Sequence, residues 1–98
     1  MGTVMPRFVI ERDIPEIGSM ERDALRDAAK QSNSVLSEMK AESKNIQWEH
    51  SYVAGDKTFC IYLADDEALI REHAERSGFP ATKVTEVRKM IDPITAEG

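Results

Sequence analysis

The spacing of hydrophobic positions divides this chain into six elements. Residues 7–12 (RFVIER) have the β-branched and aromatic content of a strand, and Pro15 and Gly18 then interrupt it. From residue 20 to 39 the period changes: Leu25, Ala28, Ala29, Ser32, Leu36 and Met39 recur every three or four positions, which is one face of a helix, with Ser19 placed to cap it. After a polar stretch at residues 42–45, residues 46–53 and 58–63 read as two strands. Gly55-Asp56 joins them, since glycine at the first central position of a two-residue loop suits a type II′ hairpin turn. Asp65 and Asp66 open a second helix at the end its dipole favours for acids; Leu69, Ile70, His73 and Ala74 form its stripe, and Gly78 stops it. Residues 83–91 read as a last strand, ended by Asp92-Pro93. The order βαββαβ is that of the α+β ferredoxin-like fold, a four-stranded antiparallel sheet with both helices on one face.

Helices on one face leave the other uncovered, and these strands carry apolar or aromatic residues on both sides. Packing two sheets face to face, as a homodimeric α/β barrel, would bury the second face. The 98 residues suffice for one domain, expected over residues 6–95 with residues 1–5 and 96–98 as flexible termini. Thirteen basic against eighteen acidic residues, interspersed, give a net charge of −5, which argues against nucleic acid as a partner. No apolar run nears the ~20 residues of a membrane span and no leader pattern stands at the start, so a cytoplasmic protein is expected. The single cysteine, Cys60, cannot form an internal disulfide, which suits a reducing compartment.

Chemistry-bearing residues concentrate in the hairpin, which holds Trp48, His50, Tyr52, Cys60 and Tyr62. With Gly55-Asp56 as the loop, Tyr52 falls opposite Phe59, Ser51 opposite Cys60, His50 opposite Ile61 and Glu49 opposite Tyr62. Trp48, His50 and Tyr52 then share one side, and Glu49, Cys60 and Tyr62 the other. In that register His50 and Cys60 diverge and cannot hold one ion within one subunit unless a bulge intervenes.

Taken in order, Trp48, the run His50-Ser51-Tyr52-Val53, Asp56-Lys57, Cys60 with Tyr62, Asp66-Glu67, Arg71-Glu72-His73-Ala74, Gly78-Phe79-Pro80-Ala81, Glu86-Val87 and Ile91-Asp92-Pro93 resemble a family of small bacterial proteins. Its best-described type is a nickel-binding, nickel-responsive protein of ferredoxin-like fold that forms a dimer. The resemblance runs over residues 6–95 and implies that fold, a homodimer, and Ni2+ or another divalent transition metal as the bound ion. It does not carry individual ligands across.

Residue chemistry narrows the ligands. Imidazole binds nickel, copper and zinc well and thiolate favours softer ions, so His50, His73 and Cys60 are the candidate metal ligands. His50 either meets His73 beneath the helices or lines the dimer barrel and finds its partners in the other subunit. On the other side, Glu11 can join Glu49, Cys60 and Tyr62 around a polar pocket. Each residue also has a purely structural role open to it: His73 as a hydrogen-bonded core histidine, Cys60 as a small buried apolar residue, Trp48 and Tyr52 as packing anchors. Glu11 and Glu86 can be strand-edge charges paired with Arg7, Arg12 or Arg88. No phosphate loop, HExxH or paired-cysteine motif is present, so binding is a better reading than catalysis. The alternatives are a small-molecule-binding or cofactor-free oxygenase-like barrel dimer, and a protein interaction module.

Overall fold

Strict alternation in two strands builds the sheet. In β1 (Arg7–Asp13) Phe8, Ile10 and Arg12 are buried while their neighbours are not; in β3 (Lys57–Ala64) the buried set is Thr58, Cys60, Tyr62 and Ala64. The computed structural model describes residues 5–97. Its other elements are α1 (Arg22–Ala41), β2 (Ile46–Ala54), α2 (Glu67–Ser77) and β4 (Lys83–Glu86), with 3₁₀ turns at Ile17–Ser19 and Pro93–Glu97. The strand order is β2-β3-β1-β4 and all neighbours pair antiparallel, so the expected ferredoxin-like α+β arrangement is the one observed. Of the termini expected to be flexible, residues 1–4 and Gly98 lie outside the described residues, and Ala96 and Glu97 belong to the last 3₁₀ turn. Among the described residues no helix is long and apolar enough to cross a membrane.

Both helices lie on the face of Cys60 and Tyr62. Ser32 of α1 stands 3.3 Å from the Tyr62 hydroxyl, and His73 of α2 packs on the Tyr62 ring. The core is Phe8, Ile10, Cys60, Tyr62, Ala64 and Ile70, with Leu36, Trp48 and Val84 among the side chains packed against it. The opposite face presents Val9, Phe59, Ile61 and Leu63, all half-buried, and Tyr52, which is 61% exposed. No helix of the described residues covers that face.

Three expectations need correction. Ser19 does not cap α1. The segment before the helix is held on the hairpin turn by Ile14 N–H to the Asp56 carbonyl (2.9 Å), Glu16 N–H to Asp56 Oδ1 (3.1 Å) and Gly18 N–H to the Gly55 carbonyl (2.9 Å). Ser19 closes the resulting 3₁₀ turn by donating to the Glu16 carbonyl, and the helix starts only after Glu21, without a side-chain cap. The last strand ends at Glu86 rather than residue 91. Its partner β1 begins at Arg7, whose carbonyl accepts the Val87 N–H; Pro6 before it has no N–H and gives its carbonyl to Ala64, and Met90 and Ile91 are each 80% exposed.

The third correction lies in the hairpin. The turn is as expected, with positive φ (63°) at Gly55 but not at Asp56, and Ala54 pairs Lys57, Tyr52 pairs Phe59, Ser51 pairs Cys60 and His50 pairs Ile61. A β-bulge then intervenes between Trp48 and His50, so Trp48, not Glu49, pairs with Tyr62. Trp48 thereby leaves the face of His50 and joins that of Cys60.

Candidate functional site

The bulge divides the chemistry-bearing residues between the two faces of the sheet. On the open face His50 is exposed, with its ring edge-on to Tyr52 at 5.2 Å between centroids. Glu49, the extra residue of the bulge, accepts two hydrogen bonds from the Arg7 guanidinium, at 2.7 and 3.2 Å. The bond from Arg7 holds the Glu49 carboxyl below its usual range. Glu11 lies on this face too, beside Phe59 in register and 3.7 Å from Lys57 Nζ.

On the helix face Trp48 stacks on Tyr62, with centroids 6.4 Å apart and planes 17° from parallel, and its indole N–H donates to Ser51 Oγ at 2.9 Å. Tyr62 is buried, and desolvation raises its phenol above the ordinary value against the opposing bond to Ser32. His73 has no exposed surface. Its Nε2 lies 3.2 Å from Ser32 Oγ and 3.4 Å from the Ser32 carbonyl, which can only accept; the network thus assigns the proton to Nε2. Its Nδ1 is left buried without a hydrogen-bond partner. Burial above all, and then the nearby charge of Arg12, pushes the His73 pKa from 6.5 down to about 4, so the ring is neutral near pH 7. The Cys60 thiol is buried 3.5 Å from Thr58 Oγ1.

The candidate ligands are therefore not brought together. His50 is separated by the sheet from both His73 and Cys60, and the four residues expected around one polar pocket split, with Glu11 and Glu49 on the open face and Cys60 and Tyr62 on the covered one. Among the described residues no group of three or more His, Cys, Asp or Glu side chains is placed to hold a metal ion. A metal site made by one chain alone does not fit these residues.

A cavity of about 460 Å3 lies on the covered face, between the sheet and α1. Ile17 and Met20 from the 3₁₀ segment and Phe79 and Pro80 after α2 help to line it, and Trp48, Cys60 and Tyr62 contribute from the sheet. The residue that sequence reasoning missed is Arg12, taken there only as a strand-edge charge. It lines the cavity and is 3% exposed, with Nη1 donating to the Pro80 carbonyl at 2.8 Å and its guanidinium 5.9 Å from the Phe79 ring centroid. The available signal was its place in the series Phe8, Ile10, Arg12, three alternate positions of one strand that face the core together.

Comparison with known proteins agrees with this topology. A crystal structure of SCO4226 from Streptomyces coelicolor A3(2) superposes with a TM-score of 0.68 over 87% of this chain and 99% of that one, at 18% identity, a level that establishes the shared fold. No curated protein matches the chain. Residues 8–87, from the first strand to just beyond the last, match the family described as nickel responsive protein SCO4226-like. With the fold and most of the chain length accounted for in this way, the chain belongs to the SCO4226-like family of nickel responsive proteins.

Proposed function

We propose that this protein is a cytoplasmic homodimer that binds a divalent transition metal of the nickel type on the open face of its sheet, with His50 as the imidazole ligand. The observation that carries the reading is the position of His50, exposed on the face opposite α1 and α2 among Val9, Phe59, Ile61 and Leu63. Such an apolar surface is covered in solution by a partner. In an isologous sheet-to-sheet dimer whose two-fold axis passes beside the edge strand β2, both His50 rings come to one ion, and Glu49 joins them by exchanging its bonds from Arg7 for the metal. That doubling offers what one chain lacks. Imidazole and carboxylate together form a donor set suited to nickel and its neighbours in the first transition row. His73 and Cys60 serve packing in this reading, since both are buried on the far side of the sheet.

The family description supports the choice of metal, and the chain carries its fold over residues 8–87. Calorimetric titration of chelator-treated, tag-free protein with nickel tests the reading, with sedimentation velocity on the same samples. The expected result is a dimer whose nickel binding is lost in His50→Ala and kept in His73→Gln. A wild type that binds no nickel overturns the metal reading, and a persistent 11 kDa species overturns the intersubunit site.

A further inference from the structure

Arg12 is the only Lys, Arg, Asp or Glu side chain buried among the described residues. Removing a guanidinium from water costs several kcal/mol unless charge or hydrogen bonds compensate, and its compensation here is partial. Nη1 meets the Pro80 carbonyl, the Phe79 ring lies alongside and the Tyr62 hydroxyl is close enough to feel the charge, but Nη2 is buried with no hydrogen-bond partner. Its sequence neighbours Glu11 and Asp13 belong to the opposite face, where both pair with Lys57, at 3.7 and 3.5 Å. No ion pair among the described residues includes Arg12.

This half-satisfied cation forms part of the wall of a cavity whose other lining is mostly apolar. Across from the sheet, α1 contributes Ala24, Leu25, Ala28 and Ala29, and the small alanines leave the space open. The volume, about 460 Å3, falls within the ~300–1,000 Å3 typical of small-molecule sites. An apolar chamber with one unpaired cation is complementary to an amphipathic monoanion. A carboxylate accepts the two N–H bonds that a guanidinium edge offers, whereas a phosphate dianion would bring a second charge that no other Lys or Arg of the lining neutralises.

We propose that this cavity binds a small apolar carboxylic acid, its carboxylate on the Arg12 guanidinium and its hydrocarbon part against the alanine face of α1. The site is independent of the metal reading, because it lies across the sheet from His50 and uses none of the same side chains. It also places Trp48 in the wall, where a bound ligand changes the surroundings of the only tryptophan.

Octanoate and its neutral counterpart octanol are the probes, titrated into metal-free protein and followed by calorimetry and tryptophan emission. Wild type is expected to bind octanoate once per chain and roughly tenfold or more tightly than octanol, the discrimination a charge-assisted bond provides. Arg12→Met should bind the two equally, Arg12→Lys should keep a preference for octanoate, and Ala28→Phe, which fills the chamber and leaves Arg12 in place, should bind neither. Circular dichroism confirms that each variant is folded, and the wild-type comparison stands without them. Equal wild-type affinity for the two probes, no binding of octanoate at all, or undiminished octanoate binding by folded Arg12→Met or Ala28→Phe would overturn the assignment.

Discussion

Stability between neutral and mildly acidic pH should be governed by His73. The ring is fully buried, its protonated form would sit in the core beside the Arg12 charge, and its pKa falls from 6.5 to about 4. The unfolded chain accepts a proton on this histidine near pH 6.5 while the folded chain refuses it until about pH 4. Between those values the unfolded state holds more protons, so stability rises with pH. The contribution is fully present above pH 6.5 and is lost as pH falls toward 4. A gap of roughly 2.5 units at about 1.36 kcal/mol each amounts to about 3 kcal/mol. Most of it should be gone by about pH 4.5.

His73→Gln removes the titration and retains an N–H that can face Ser32. Urea unfolding at fixed protein concentration, from about pH 7.5 to about 4.5, measures the difference in slope whatever the variant costs at neutral pH. Wild type should lose about 2.5 kcal/mol across the window that the variant does not lose. Carboxylates do not confuse the result. Glu42, held down to about 2 by its bonds from Arg76, loses its favourable pairing only as pH falls from 4.5 toward 2, below the histidine window. Parallel stability curves for the two proteins would refute the claim that the core holds His73 neutral.

Three further substitutions probe the frame. Gly18→Ala sets a Cβ 2.5 Å from the Gly55 carbonyl oxygen, a backbone atom, so the contact between the 3₁₀ turn and the hairpin must open and urea unfolding should show a loss of about 1–3 kcal/mol. Ser43→Gly should instead stabilise by about 0.5–1 kcal/mol, because Ser43 ends α1 at a φ of 63° and glycine reaches that conformation without strain; an unchanged or lower unfolding midpoint would count against it. Asp66→Ala removes the side chain that accepts the Leu69 N–H at the start of α2, and should cost about 1 kcal/mol in the same assay.

Wherever local chemistry alone decides the conformation, the sequence was readable. β-branched and aromatic content marked β1, Gly55-Asp56 marked the turn between β2 and β3, and Asp66 and Gly78 marked the two ends of α2. Two of the failures depend on contacts distant in sequence, and the end of α1 on a local motif carried by an unexpected residue. Ser19 yields its capping role because Gly18 is bonded to the hairpin turn, and β4 stops where β1 gives way to Pro6, whose carbonyl goes to Ala64. The end of α1 carries a Schellman pattern, Lys44 N–H to the Met39 carbonyl and Ser43 N–H to Lys40, on a serine where glycine would have signalled it. Arg12 is a further case: its alternation was visible, but no local pattern shows that a charged side chain at an inward position faces a cavity rather than a partner acid.

The bulge at Glu49 decides which face each chemistry-bearing residue of the hairpin takes. Trp48 and His50 are two residues apart and would share a face in an unbroken strand. Without the extra residue, Trp48 would project onto the open face with His50, and Tyr62, now 3% exposed, would lose the indole stacked on it. The bulged form gains the stacking of Trp48 on Tyr62 against one unpaired ladder position, and Arg7 adds a two-bonded partner for the displaced Glu49. One added residue thus separates an exposed imidazole from an indole-walled chamber. In the proposed dimer the same segment would present His50 to a metal between two copies while Trp48 lines the apolar cavity behind it, and neither side chain would have to serve both surfaces.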